Sequence, residues 1–260
     1  MFFPYRDDNP RRHGPPIITI AIIITCTCVY LFVQLPMTPY QEQAHTLSFG
    51  FIPAVFFGNA DLVGDLVQIP SSASLVTSMF LHGGIIHLIG NMWFLWLYGD
   101  NVEEELGRFR YLIFYLVCGC VGTLAHSAVD PNSRLPLIGA SGAISGVIAS
   151  YLLLWPRANI RVFYWWFVFV GTINVPAFVV GGIWLLEQFF ALPAALQAQG
   201  GVAIVAHLGG FMCGLILTPF IKRPGIRLFQ PKHTAPFSRK HTRIIRHKNG
   251  SVPEVRKKRN

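Results

Sequence analysis

Long apolar runs separated by more polar segments are the dominant pattern of the chain. A helix of roughly 20 apolar residues is long enough to cross the hydrocarbon core of a bilayer. The pattern therefore predicts an all-α, polytopic membrane protein built as a bundle of six transmembrane helices. The predicted spans cover residues 17–35, 82–99, 110–129, 138–155, 176–192 and 202–221.

Two segments need a separate interpretation. Residues 17–35 follow a short polar start, and no small-residue cleavage site comes soon after them. We therefore expect a retained anchor rather than a removed signal peptide. Residues 160–175 are aromatic and β-branched but short for a span. Because Trp and Tyr favour the headgroup level, we expect an interfacial segment or a hairpin there.

The composition also favours a membrane protein. Hydrophobic residues make up 52% of the 260 positions and charged residues only 13%. A soluble domain carries about 25% charged residues. The five cysteines lie in apolar runs without zinc-like spacing to histidine, so we expect them to be reduced core residues.

The net charge of +9 is unevenly distributed along the chain. Thirteen of the 21 Lys and Arg residues follow position 221, and the chain before them is slightly acidic. Basic loops stay in the cytoplasm, which places both termini there, at the cell (inner) membrane. The predicted parts are a cytoplasmic N-terminal segment at 1–16, the six-helix membrane domain at 17–221, and a basic, disordered cytoplasmic tail at 222–260.

The basic tail has two candidate partners. Each Lys or Arg near an anionic membrane surface contributes roughly 1 kcal/mol of attraction, so we expect the tail to bind anionic lipid. Nucleic-acid binding is not expected, because no aromatic residue interleaves the basic residues after Phe237.

Polar residues interrupt the apolar runs at three points, all near the predicted outer face. His87 and Asn91 are four positions apart in the second span, so they share one helix face. Ser141 lies at the start of the fourth span and His207 at the start of the sixth. Ionisable groups inside a membrane are costly, so these positions are candidates for a functional site.

The small residues around Ser141 have two interpretations. They could serve only tight helix packing, or they could let a reacting group approach a hydroxyl closely. Gly142 and Gly146 form a small-xxx-small pair, as do Gly210 and Gly214 in the sixth span. Such pairs allow helix backbones to approach closely in lipid. Two helices that meet through these glycines would bring Ser141 and His207 to similar depth.

A serine beside a histidine supports nucleophilic catalysis. A hydroxyl becomes a good nucleophile when a neutral imidazole takes its proton. We expect a Ser–His dyad without a carboxylate, because Glu187 has no obvious register to His207 and the other acids near the later spans cluster at the inner end of the second span or lie in a loop. His87, Asn91 and the backbone N–H of Ser141 are candidate oxyanion-hole donors.

Three motifs carry a resemblance to a known family. The segments GASG around Ser141, AHLGG around His207 and HGGIIHLIGN, which ends at Asn91, resemble those of the rhomboid intramembrane serine proteases, bacterial members included. The segment NVEEELGRFRYLIFYL is similar to the one that follows the second span in that family.

The resemblance implies a six-helix bundle with a water-filled cavity open to the outer face. It implies that Ser141 is the nucleophile and His207 the general base, that His87 and Asn91 line the oxyanion hole, and that Glu103 is a structural acid. The implied activity is a serine endopeptidase that cuts single-pass membrane proteins near the outer membrane boundary. The resemblance implies no metal and no organic cofactor.

The chain departs from the family pattern at two points. Many relatives carry an aromatic residue four positions after the nucleophile, where this chain has Ser145. The ring of His207 must therefore be supported differently, for example by a hydrogen bond. The Trp-Arg pair common in the first outer loop is also missing from residues 36–81.

Two other functions compete with proteolysis. A transporter or channel would need a polar stripe across the whole membrane, but the polar residues stop in the outer half. An inactive relative that only binds membrane proteins is disfavoured, because Ser141 and His207 are both present.

Overall fold

The computed structural model describes residues 2–9, 14–197 and 204–231. The predicted disorder of the basic tail concerns mainly residues 232–260, which lie outside this part. The helices are α1 (Ile17–Cys28), α2 (Pro39–Phe49), α3 (Pro53–Phe56), α4 (Ser74–Thr77), α5 (Ile85–Leu106), α6 (Arg108–Val129), α7 (Ser141–Leu154), α8 (Ala177–Gln197) and α9 (Ile204–Ile221). The strands are β1 (Phe2–Asp7), β2 (Asn159–Trp166) and β3 (Phe169–Pro176).

Several of these helices are suited to a bilayer. Among the described residues, four segments are long and apolar enough to cross it: Ile17–Gln34, Arg108–Val129, Ala177–Ala194 and Ile204–Ile221. A fifth is reached if Ser74–Phe80 and Ile85–Leu106, bent by 97°, count as one span. The polytopic membrane fold is therefore confirmed. Six membrane-crossing helices stay a prediction, because α7 has only 14 residues.

Two predicted helix starts were wrong at the end of the bundle where α5 and α7 begin, which is the predicted outer end. The second span was predicted to begin at residue 82, but α5 begins at Ile85. The fourth was predicted to begin at residue 138, but α7 begins at Ser141. Hydropathy detects apolar composition, whereas the start of a helix depends on where the backbone hydrogen bonds begin. At the other end of α5, Gly107 adopts a φ of +85° and lets the chain reverse into α6.

Helix α7 is the centre of the bundle. Eleven of its 14 residues are buried, and it packs between α5, α6 and α9. A Cβ atom added at Gly210 of α9 would overlap the carbonyl oxygen of Gly142, and one added at Gly214 would overlap the backbone of Gly146. The predicted close approach of these two helices through their glycines is therefore confirmed.

The prediction of an all-α fold was wrong for two segments. Strands β1, β2 and β3 form an antiparallel sheet in that order, so residues 159–176 are a hairpin, which was one of the two structures expected there. Their aromatic and β-branched residues favour extended structure. The N-terminal strand was not predicted, because six residues acquire strand structure only by pairing with distant β2.

The sheet packs against α5 through β1. The indole N–H of Trp93 donates to the carbonyl oxygen of Pro4 at 2.8 Å, and the amide of Asn101 donates to the Asp7 carboxylate at 2.7 Å. Trp93 and Asn101 are eight residues apart on α5, so β1 runs along about two turns of that helix. Residues 2–9, assigned by prediction to a separate N-terminal segment, thus contact the bundle.

A buried carboxylate joins α1 to α5 at the inner end. Glu103 accepts hydrogen bonds from the backbone N–H groups of Ile18 and Thr19 at 3.0 and 2.8 Å, and from the Thr19 hydroxyl at 2.9 Å. These amides belong to the first turn of α1 and have no acceptor within the helix, so Glu103 supplies it. The helix dipole also favours negative charge at this end. The geometry fits the structural role expected for Glu103.

A second buried carboxylate anchors the N-terminal strand. Asp7 accepts a hydrogen bond from the Tyr151 hydroxyl at 2.9 Å in addition to that from Asn101. Burial raises the pKa of Asp7 to about 7, and the nearby Asp100 carboxylate adds to the rise. The folded protein therefore favours the protonated form of Asp7 more than the unfolded chain does.

We expect Gly214→Ala to destabilise the fold. The added methyl group meets the backbone of Gly146, which cannot rotate away, so the loss should be about 1–3 kcal/mol and visible as a lower Tm in detergent. Gly182→Ala is the matched control, since no atom of the described residues lies within 4 Å of a Cβ atom there. Equal Tm values for the two variants would contradict the packing of α7 on α9.

We expect the stability that Asp7 contributes to the fold to fall as pH rises. The pKa of Asp7 is higher in the folded chain than in the unfolded chain, so its stabilising effect is complete below about pH 4 and is lost as pH rises through about 7. The Tm of the wild type should therefore fall over this range relative to Asp7→Asn. Asp61→Asn, which changes an exposed carboxylate, should keep the wild-type slope.

Candidate active site

The turn before α7 holds Ser141 in place. The backbone N–H of Gly139 donates to the carbonyl oxygen of Ser78 at 2.9 Å, and Leu137 pairs with Phe51 through two backbone hydrogen bonds. Gly139 has a φ of +120°, which side chains with a Cβ rarely adopt. Ser141 is thus the first residue of a helix whose entry is tied to the long outer loop.

Ser141 and His207 are in direct contact. The Nε2 atom of His207 lies 2.7 Å from the Oγ atom of Ser141. The two residues are 66 positions apart and meet because α9 packs on α7 through the glycines described above. At this distance the two atoms form a hydrogen bond along which the hydroxyl proton could pass to the ring.

The other ring nitrogen of His207 contacts a residue that sequence reasoning missed. Oε1 of Gln188, on α8, lies 2.7 Å from Nδ1 of His207. The Gln188 side chain is buried at 8% exposure. Only acids were considered as a third group, so an amide was overlooked. The available signal was one uncharged polar residue within the apolar run of α8.

Ser145 does not support the histidine ring. Its hydroxyl donates to the carbonyl oxygen of Ser141 at 2.7 Å, within α7. Trp184 of α8 lies beside His207 instead, with ring centroids 6.3 Å apart and an angle of 36° between the planes. Support for the ring therefore comes from α8, which is consistent with the expectation of a hydrogen bond at this point.

His87 and Asn91 face the same turn. A Cβ atom built on Gly139 would lie 2.9 Å from Nε2 of His87 and 3.7 Å from Nδ2 of Asn91. The Asn91 amide nitrogen is buried and has no hydrogen-bond partner among the described residues. Nδ1 of His87 accepts from the Gly83 backbone at 3.4 Å, a weak contact that favours a hydrogen on Nε2. Both side chains can therefore donate toward the turn.

The start of α7 is recessed from the outer end of the bundle. A Cβ atom on Gly142 would lie 3.9 Å from Cα of Gly122, so the two residues are level. Helix α6 continues from Gly122 to Val129, which at 1.5 Å per residue is roughly 10 Å. Ser141 was predicted to lie four residues inside its helix. It is recessed because α7 itself is short.

The protein is therefore a polytopic helical membrane protein with a candidate serine–histidine site recessed in its helix bundle. A model of the rhomboid domain matches residues 71–224, which contain all four predicted site residues. The chain belongs to the rhomboid family.

Curated relatives come from several kinds of organism. Rhomboid protein 1, mitochondrial, of Saccharomyces cerevisiae is 30% identical over 163 residues, which are 60% of this chain and 43% of the relative. RHOMBOID-like protein 5 of Arabidopsis thaliana is 27% identical over 64% of this chain and 50% of its own. Rhomboid protease GluP of Bacillus subtilis is 41% identical over 30% of this chain and 15% of its own. The chain spans half or less of the length of these relatives.

We expect Asn91→Ala to slow catalysis without unfolding the protein. Loss of one oxyanion donor lowers kcat by roughly 10²–10³-fold, and the free amide nitrogen of Asn91 leaves no broken hydrogen bond behind. His87→Ala should act in the same direction. Cleavage rates in detergent or liposomes provide the measurement, with Asn59→Ala in the outer loop as the control. Wild-type kcat in both site variants would exclude helix α5 from the oxyanion hole.

Proposed function

We propose that the protein is an intramembrane serine endopeptidase of bacterial rhomboid type that hydrolyses single-pass membrane proteins. The observation that carries the proposal is the 2.7 Å contact between Ser141 and His207 at a recessed helix start. The protease named among the relatives supports the same activity. No metal or cofactor is needed for this chemistry.

The proposed reaction proceeds through an acyl-enzyme. Oγ of Ser141 bonds to the carbonyl carbon of the substrate while Nε2 of His207 takes the hydroxyl proton. His87, Asn91 and the N–H of Ser141 donate to the oxyanion, and the C–N bond breaks as His207 gives its proton to the leaving amine. Water then attacks the ester carbonyl, assisted by His207, and releases the acid and Ser141.

The recessed site favours cleavage near the outer boundary of the substrate span. A substrate helix must open its backbone hydrogen bonds before it can be cut, and opening them in lipid is costly. Near the boundary, water can satisfy the freed groups. Substrates that contain Gly, Pro or polar residues in the span should be favoured, because their helices unwind more easily.

We also propose that the inner end of the bundle faces the cytoplasm at a cell membrane. The support is the concentration of Lys and Arg at the chain ends and in the inner loops. The basic tail would then lie beside an anionic lipid surface. The Saccharomyces cerevisiae relative carries a mitochondrial name, so the proposal of a cell membrane rests on the charge pattern and not on the relatives.

The decisive experiment is cleavage of a reconstituted single-span reporter by the wild type, Ser141→Ala, His207→Ala and the double variant. Each single variant should abolish turnover while keeping the wild-type Tm, and the double variant should be no slower, because the two residues act as one unit. A fluorophosphonate should label Ser141 only when His207 is present. Labelling that persists in His207→Ala would remove His207 from the role of base.

Mass spectrometry of the products gives the position of the cut. We expect cleavage near the outer boundary of the reporter span. Cleavage at the bilayer centre or at the cytoplasmic side would contradict the depth and the orientation. A folded wild type that binds the reporter without cutting it would identify an inactive relative.

A further inference from the structure

We infer that Gln188 is a positioning residue that holds His207 in the tautomer and orientation required of the base. The inference rests on the proposed function, since it assigns a role within the same site. Three observations carry it: the contact between Gln188 and His207, the burial of the amide, and the position of Gln188 on a helix other than those that bear Ser141 and His207.

The hydrogen-bond chain determines which nitrogen of His207 carries the hydrogen. Nδ1 faces Oε1 of Gln188, which can only accept, so Nδ1 must be the N–H donor. Nε2 then carries a lone pair and no hydrogen, and it lies 2.7 Å from the Ser141 hydroxyl. The ring can accept the serine proton only in this tautomer. Without Gln188, nothing among these contacts distinguishes it from the other tautomer.

The Gln188 amide is itself oriented. Its Nε2 atom lies 3.5 Å from the Trp184 carbonyl oxygen, one turn earlier on α8. This contact is long, but it gives the NH2 group of the amide an acceptor, so Oε1 is the atom that faces His207. The reversed amide would direct its N–H at Nδ1, place the ring hydrogen on Nε2 and abolish the base.

An amide suits this place better than a carboxylate. A charged group deep in a membrane protein is costly to desolvate, whereas an amide supplies the acceptor without a charge. The neutral acceptor fixes the ring but gives the imidazolium less stabilisation than a carboxylate would. The site therefore has the geometry of a triad with an uncharged third member.

The position of Gln188 on α8 makes the contact informative. Only 17% of the apolar stretch Ala177–Ala194 of α8 is buried, against 39% of the corresponding stretches of α6 and α9. Large exposed side chains line this helix, among them Ile183, Leu186 and Phe190. A buried polar side chain on such a weakly packed helix links the helix to the catalytic histidine.

The test compares Gln188→Met and Gln188→Glu with the wild type in the full chain. Gln188→Met keeps the side-chain length and removes the acceptor. The variant should lose part of the rate gained from the general base, so kcat should fall roughly 10–1,000-fold with KM little changed. The rate of fluorophosphonate labelling at Ser141 should fall in parallel. Glu187→Gln, an exposed neighbour on the same helix, is the matched control and should retain wild-type rates.

Gln188→Glu separates positioning from simple packing. It restores the acceptor, so the rate at high pH should return to within about 10-fold of the wild type. The new carboxylate favours the imidazolium, so the acid limb of the kcat/KM profile should move up by about 1–3 pH units. The titratable groups facing His207 from other elements are His87 and His126, which are unchanged in both variants.

Each outcome decides between the two proposals. Wild-type kcat in Gln188→Met, or an unmoved acid limb in Gln188→Glu, overturns the positioning role. A wild type that shows labelling dependent on Gln188 but no reporter cleavage supports the positioning role and overturns the protease. A wild type that shows neither labelling nor cleavage overturns both.

Discussion

Close contact between α7 and α9 is the interaction on which the rest of the structure depends. The two backbones meet where glycines leave no side chain between them, at Gly142 with Gly210 and at Gly146 with Gly214. In lipid there is no hydrophobic force between helices, so association relies on van der Waals packing of this kind. The same contact brings a hydroxyl and an imidazole within hydrogen-bonding distance, so the stability of the bundle and the geometry of the site have one cause.

The two ends of the bundle use polar groups differently. At the inner end, Glu103 accepts from three donors and Asp7 from two, and the two acids join the N-terminal elements to the helices. At the outer end, the amide nitrogen of Asn91 is buried with no partner among the described residues. A buried donor left free costs stability, which the packed helices around it must offset. The two buried acids are therefore held by donors, whereas the Asn91 amide nitrogen beside the turn before α7 is available to donate.

The candidate site takes side chains from four helices. Helix α7 supplies the hydroxyl, α9 the imidazole, α5 the donors and α8 the amide behind the ring. Three of these helices pack tightly, and α8 is exposed over most of its length. The candidate site is therefore well packed on the side of Ser141 and is completed by α8, the least buried of the four helices.

From the sequence alone, the apolar runs determined the membrane class, and the glycine pairs and polar interruptions predicted the four candidate site residues, because helical spacing places such residues on defined faces. The tertiary structure alone decided three things: the start of α7 at Ser141, the pairing of β1 with the hairpin, and the contact of Gln188 with His207. Each depends on hydrogen bonds between residues far apart in the chain. Hydropathy and local spacing carry no information about such partners, since an isolated glutamine in an apolar run looks the same whether it faces lipid, a backbone carbonyl or a histidine.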